Sequence, residues 1–282
     1  AATPRFSGRS MSPLLAVSEA FASPLAALRA MELLCAVSVA LQAAENIANL
    51  AALREEGTLR WSVVREHVAH LSSPLSRLLD RLMAPSGLLA LSLVQFVCAA
   101  GMVTAPGWLW PMTCFMTSLL FALRWGGSVN GGSDSITLIT LGCLSIGRGF
   151  VHEHQVVIGA LLYVALQSIA SYLIAGLVKL RARRWRDGSA LHRFIDGAVV
   201  GPPPEFVGRV LAGPTAIAAS IGVITFELSA PIALMSPAFA LAFVGVAILF
   251  HAVNTYLLGL HRFFWAWCAT YPAVLFVASF LR

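Results

Sequence analysis

Long apolar segments recur along the whole of this 282-residue chain, and they constrain its fold more than any other feature. A helix needs roughly 20 apolar residues to cross the hydrocarbon layer of a membrane. Backbone groups in lipid must be hydrogen-bonded within their own segment, so each apolar segment is expected to form a helix. The predicted spans are residues 30–53, 85–104, 108–123, 135–149, 156–179, 210–235, 238–260 and 263–281.

Composition supports this interpretation. Hydrophobic residues make up 58% of the chain and charged residues 11%, whereas charged residues are about a quarter of a soluble domain. We therefore predict an all-α fold, a polytopic integral membrane helix bundle with about eight transmembrane helices. The basic residues stand in short clusters between apolar segments, which favours membrane lipids rather than nucleic acid as partners.

Two further segments alternate apolar and charged residues at helical spacing, as interfacial amphipathic helices do. They are residues 12–28 and 61–83. A third segment, 180–209, combines several arginines with three consecutive prolines and is expected to be a rigid connector. The predicted organisation is an N-terminal interfacial segment over residues 1–29, followed by one transmembrane domain over residues 30–282.

Polar side chains inside the apolar segments are the candidate functional residues, because an ionisable group in the hydrocarbon layer costs about 2.5–3.5 kcal/mol. His251 and Asn254 are three residues apart and so share one helical face. The stretch 122–138 is open to two interpretations, a ligand-contacting loop or a tight polar turn that caps the next helix. The candidates for ligand binding are Arg124, Asn130, Asp134, Glu227 and Asn254.

Metal binding is not predicted. The five cysteines are spread singly through apolar segments, without the spacing of metal ligands. His152 and His154 resemble a metal pair only in their spacing, because no third and fourth ligand stands at a suitable distance along the chain.

Lys179 is the only lysine among 19 lysine and arginine residues, and it ends an apolar run. An amine in that position loses solvation, which favours its neutral, basic form. Arginine cannot act in this way because it stays protonated.

Several stretches of the chain together resemble a known family. "YLIAGLVKLRARRWRDGSAL", "FELSAPIAL" and "FHAVNTYLLGLHRFFWAWCATYP" occur in the order of similar stretches in the membrane domain of vitamin K-dependent gamma-glutamyl carboxylases. "VNGGSDSITLITL" is similar to a stretch of the bacterial HTTM (horizontally transferred transmembrane) proteins, which share that domain. The resemblance extends from about residue 120 to the end.

The resemblance implies a membrane enzyme or a relative of one, in the bacterial inner (cytoplasmic) membrane. In the carboxylases the lysine at the position of Lys179 deprotonates a quinol, so the resemblance implies Lys179 as the catalytic base and a quinone or quinol as cofactor. His251 is predicted as a second catalytic residue, because it forms a polar cluster with Asn254 and a buried glutamate. The sequence ends at Arg282 without the carboxylases' large extramembrane domain. A complete glutamyl carboxylase is therefore not expected.

Two functions follow from these patterns. In the first, the protein is a carboxylase-like or quinol-dependent membrane enzyme with Lys179 as base. In the second, it is a non-catalytic accessory subunit of a larger membrane complex that binds pigment, quinone or lipid and aids assembly.

Overall fold

The computed structural model describes residues 21–53, 60–68, 70–126, 132–196, 205, 208 and 213–282. All regular structure in these ranges is helical. We number the helices α1 Pro24–Ala48, α2 Trp61–Val64, α3 Ser73–Leu82, α4 Pro85–Thr104, α5 Leu109–Arg124, α6 Gly132–Gly149, α7 His154–Arg181, α8 Arg183–Arg186, α9 Ser189–Asp196, α10 Pro214–Leu228, α11 Pro237–Leu258, α12 His261–Cys268 and α13 Tyr271–Phe280. The 3-10 helices Arg65–Val68 and Ala230–Met235 follow α2 and α10.

Prolines set the start of several long helices. Pro24, Pro85, Pro214 and Pro237 each begin a helix, where the missing N–H of proline removes no hydrogen bond and its φ is already helical. The first long helix therefore begins at residue 24 and not at the predicted residue 30. Residues 1–20 lie outside the described part, and the predicted interfacial segment 1–29 stays a prediction.

The apolar helices identify an integral membrane protein. In the described residues six helical segments have the length and hydropathy to cross a membrane: Pro24–Ala48, Pro85–Thr104, His154–Arg181, Pro214–Met235, Pro237–Leu258 and His261–Phe280. The predicted spans 108–123 and 135–149 are also helical, as α5 and α6. α5 is apolar but has only 16 residues, so the count of about eight transmembrane helices is not confirmed.

The core of the bundle forms around its first and last helices. α13 is buried from Tyr271 to Ala278 and packs against α1, α7 and α11. α1 also packs against α4, α6 and α12. Large apolar side chains on the outer faces, such as Leu166 and Leu249, are exposed, as expected of surfaces that contact lipid tails.

Ion pairs tie the helices together at both ends of the bundle. At one end the buried Glu32 of α1 accepts hydrogen bonds from Arg29 at 2.8 Å and from Arg148 of α6 at 2.6 Å. At the other end Arg262 of α12 pairs with Glu45 of α1 at 2.8 Å and with Asp134 of α6. Glu32, Asp134 and Arg262 thus each have an opposite charge beside them, which offsets part of the cost of burying them.

The segment 61–83 is held together by polar contacts of α3 with α2 and with the 3-10 helix that follows α2. Asp80 accepts hydrogen bonds from Arg65 at 2.6 Å and from Trp61 at 2.8 Å. Both hydrogen bonds lower the pKa of the Asp80 carboxyl, and the bond from Arg65 has the larger effect. The predicted helical character of this segment is confirmed for α2 and α3, and its interfacial position stays a prediction.

Candidate functional site

A cavity of about 310 Å³ lies between α7, α10, α11 and α12, and the segment of α8 and α9 covers one side of it. We call it the chamber. Most of its lining is apolar or aromatic, and its polar groups are few and close together. Sites for small lipophilic molecules have this composition, in which apolar walls bind the ligand and a few polar groups orient it.

Lys179 and Glu227 form an ion pair in the wall of the chamber. Lys179 Nζ donates to Glu227 Oε1 at 2.5 Å and to Oε2 at 2.7 Å. The Glu227 side chain is 4% exposed and that of Lys179 is 18% exposed. The pair is therefore withdrawn from solvent but open to a molecule that enters the chamber.

The length of α7 determines where the lysine lies. Its 28 residues span about 42 Å at 1.5 Å per residue, which is more than the roughly 30 Å of the hydrocarbon layer. Lys179 stands in the last turn, so its amine is at the end of the apolar part of the helix.

Gly176, one turn before Lys179, brings the glutamate within reach. A Cβ at Gly176 would lie 3.0 Å from the backbone nitrogen of Leu228 and 3.1 Å from the Cβ of Glu227. A glycine at this position therefore lets α10 lie close against α7. That close approach places Glu227 opposite Lys179.

A buried aromatic and imidazole cluster forms the inner wall of the chamber. His251 Nε2 and Tyr172 Oη are 2.6 Å apart, and Tyr172 Oη is 2.9 Å from Tyr271 Oη. The His251 ring stacks on Trp267 with centroids 5.6 Å apart. Among the described residues His251 Nδ1 and Trp267 Nε1 have no hydrogen-bond partner. A polar ligand atom is one way to satisfy these buried groups.

Asn254 lies one helical turn beyond His251 and also lines the chamber. Trp185 closes the outer side, with Lys179 Nζ 5.0 Å from the centroid of its ring. An ammonium over an indole face is attracted by the ring quadrupole. Four of the predicted site residues, Lys179, Glu227, His251 and Asn254, thus lie around one cavity.

These residues also lie within one region of family similarity. Residues 148–279 match the family model described as the HTTM domain. This region is therefore similar to the HTTM domain, and we refer to it below by that name. The expected resemblance to HTTM proteins is confirmed, and all four chamber residues fall inside the matched region. Neither the curated proteins nor the solved structures contain a match to the chain.

The remaining predicted site residues lie outside the chamber. Arg124 precedes the HTTM domain, is buried, and donates from Nη2 to Leu53 O at 2.8 Å. Asn130 lies outside the described residues. A role in ligand binding stays a prediction for both.

Asp134 lines a second, smaller cavity of about 90 Å³ together with Glu45, Asn46 and Arg262. This polar pocket is bounded by α1, α5, α6 and α12. Arg262 belongs to the HTTM domain, whereas both of its acidic partners precede it. The ligand-binding role of Asp134 therefore stays a prediction at a place distinct from the chamber.

The sequence patterns did not identify the aromatic residues of the chamber as site residues. Tyr172 stands seven residues before Lys179, two helical turns, so periodicity was a signal for its place on the same face. Trp267 lies in the aromatic stretch 263–267, where spacing alone gave no indication of which ring faces the cavity.

Proposed function

We propose that the HTTM domain binds a lipophilic ring-bearing molecule, such as a quinone or quinol, in the chamber, and that Lys179 takes a proton from it. The observation that carries this proposal is the Lys179–Glu227 ion pair in the wall of a mainly apolar cavity. An ionisable pair at such a place costs desolvation free energy, and functional sites are where that cost is commonly met.

The shape and chemistry of the walls support a planar ligand. Tyr172, Trp267 and Phe263 present aromatic surface, against which a ring packs in offset or edge-to-face geometry. His251 and Asn254 supply hydrogen-bonding groups on the same side of the chamber. A ligand with one or two oxygens on an aromatic ring satisfies both kinds of wall.

Proton transfer runs through the pair. The ammonium of Lys179 first passes a proton to the Glu227 carboxylate, which leaves a neutral amine beside the ligand. The amine then accepts the proton of the ligand hydroxyl, so that the products are an ammonium, a carboxylic acid and a ligand oxyanion. The oxyanion lies next to the ammonium, and this charge pairing stabilises it.

The test of this step uses 2-naphthol and the purified protein in lipid nanodiscs. This naphthol is neutral in neutral buffer, and its absorption changes when the hydroxyl ionises. We expect the bound probe to show the naphtholate absorption. The Lys179→Arg variant keeps the positive charge and should still bind the probe. Its naphtholate band should be lost, because the guanidinium holds its proton. Arg183→Lys, on the exposed surface, is the control and leaves the band unchanged.

The binding step has its own matched pair of variants. Ala175 lines the chamber, whereas the neighbouring Ile174 is 60% exposed on the outer face of α7. Ala175→Trp fills the cavity and is expected to abolish naphthol binding, and Ile174→Trp is expected to retain it. Equal binding by the two variants would refute the chamber as the site.

The accessory-subunit alternative predicts a different result. A chamber that holds a ligand without chemistry binds naphthol in its neutral form in the wild type and in Lys179→Arg alike. Binding that depends on Ala175 without any naphtholate band would therefore exclude the base role and leave ligand binding in place.

A further inference from the structure

A groove of about 350 Å³ adjoins the chamber on the side of α8 and α9. Trp185 and Phe194 belong to the lining of both cavities. Arg184 and Arg193 face the groove from α8 and α9. We call it the arginine groove. The two shared aromatic rings place a cationic site directly beside an apolar one.

The groove is built by a sharp turn at Gly188. The φ of Gly188 is +78°, and a Cβ there would lie 2.8 Å from the backbone of Ala216. Both the left-handed backbone and the close contact favour glycine. The turn folds α9 back, so that the rings of Trp185 and Phe194 lie with centroids 5.8 Å apart.

One hydrogen bond and the spacing of residues in α9 support this arrangement. Ser220 of α10 donates to the backbone oxygen of Trp185, which anchors α8 to the membrane-spanning part. In α9, Arg193 and Phe194 stand three and four residues after Ala190, so all three share the face toward the groove. The walls of the groove are thus fixed to the helix bundle through α10.

The charge around the groove is strongly positive. Arg184 and Arg193 are exposed, and in the described part of the chain neither guanidinium donates a hydrogen bond to a protein atom. Arg181, Arg183 and Arg186 are exposed nearby. Asp187 is one carboxylate among these five arginines, so it offsets only part of their positive charge; its Oδ1 accepts from the backbone N–H of Ser189 at 3.0 Å.

We propose that the chamber and the arginine groove together bind one amphiphile, with a phosphate monoester between Arg184 and Arg193 and the apolar part in the chamber. The inference rests on the proposed function, because it assigns a head group to the ligand of the same chamber. Guanidinium groups present paired N–H donors that match phosphate oxygens, and hydrogen bonds between charged groups are about twice as strong as neutral ones. The apolar part passes between Trp185 and Phe194.

The experiment compares three probes by native mass spectrometry of the purified full chain: dodecyl phosphate, dodecanol and inorganic phosphate. The first two differ only in the phosphate. We expect the wild type to retain dodecyl phosphate about tenfold over dodecanol, in line with two charge-assisted contacts that are partly open to solvent. Arg184→Gln with Arg193→Gln should reduce the preference to about twofold, since only the surrounding arginines then attract the phosphate.

The control is the double variant Arg183→Gln with Arg186→Gln. It removes the same charge from the same exposed segment at positions that do not line the groove, and the tenfold preference should persist. An equal loss in both double variants would mean that the arginines act only as diffuse surface charge, which overturns the proposal. The absence of any preference in the wild type would overturn it as well.

Free phosphate is distinguished by the chamber variant Ala175→Trp. If dodecyl phosphate occupies both cavities, the Ala175→Trp variant should no longer bind it and the Ile174→Trp variant should still bind it. If inorganic phosphate competes with dodecyl phosphate and Ala175→Trp has no effect, the groove is a site for free phosphate and the proposal fails. Loss of the phosphate preference with naphthol binding still sensitive to Ala175→Trp would leave the proposed function standing without the head group.

Discussion

At the scale of single residues, the ion pair of Lys179 and Glu227 has consequences for stability as well as for chemistry. Removing one partner leaves the other charge in a site with little solvent, and breaking a buried pair typically costs about 3–5 kcal/mol. The Lys179 side chain retains 18% exposure, so a smaller effect is expected here.

A double-mutant cycle measures this coupling. Glu227→Gln and Lys179→Met should each lower the free energy of unfolding by roughly 2–3 kcal/mol, because each leaves an unpaired charge. The double variant should cost less than the sum of the two by about 1–3 kcal/mol, as neighbouring interacting residues do. Thermal or denaturant unfolding in detergent gives these values. Additive effects would show that the two side chains do not stabilise each other.

At the scale of elements, the contact of α7 with α10 decides whether the pair can form. Two glycines of α7 provide a comparison. A Cβ at Gly176 would lie 3.0 Å from the backbone of Leu228 in α10, closer than van der Waals contact, whereas a Cβ at Gly159 would meet no atom within 4 Å. The same substitution therefore tests packing at one site and only helix propensity at the other.

Gly176→Ala should lower the free energy of unfolding by about 1–3 kcal/mol, because overpacking forces α10 away from α7. It should also weaken naphthol binding, since Glu227 moves with α10. Gly159→Ala should leave stability unchanged or raise it by up to about 1 kcal/mol, the difference in helix propensity between alanine and glycine. Similar unfolding curves for the two variants would contradict the close packing at Gly176.

At the scale of the whole molecule, the ion pairs indicate how the helices run through the bundle. Glu32 pairs with Arg148 at the start of α1 and the end of α6. At the opposite end Arg262 pairs with both Glu45 of α1 and Asp134 of α6. α6 therefore extends between both ends of the bundle beside α1. We expect α5 and α6 to cross the membrane together with the longer helices.

Cysteine labelling in intact cells tests this expectation. The described native cysteines are buried, so an introduced exposed cysteine dominates the reaction with an impermeant maleimide. If α5, α6 and α7 all cross, Ala105→Cys and His152→Cys should react from one side of the membrane and Arg186→Cys from the other. Labelling of Ala105→Cys and His152→Cys from opposite sides would contradict paired crossing by α5 and α6.

The amino-acid sequence by itself determined the class of fold and the places of the helices. Apolar length is a local property, and lipid leaves the backbone few alternatives to a helix. For the same reason Lys179, Glu227, His251 and Asn254 were recognisable as candidates, since a polar group in an apolar run has to be accounted for.

Only the tertiary structure decided which of these candidates meet. Asp134 and Glu227 were both candidates for ligand binding, yet Glu227 pairs with Lys179 in the chamber and Asp134 pairs with Arg262 in a separate pocket. The rotation of α12 places Trp267 in the chamber wall, and the turn at Gly188 forms the arginine groove. The close approach at Gly176 brings Glu227 to Lys179. These are contacts between distant segments, and the local hydrophobic pattern that specifies a helix does not specify them.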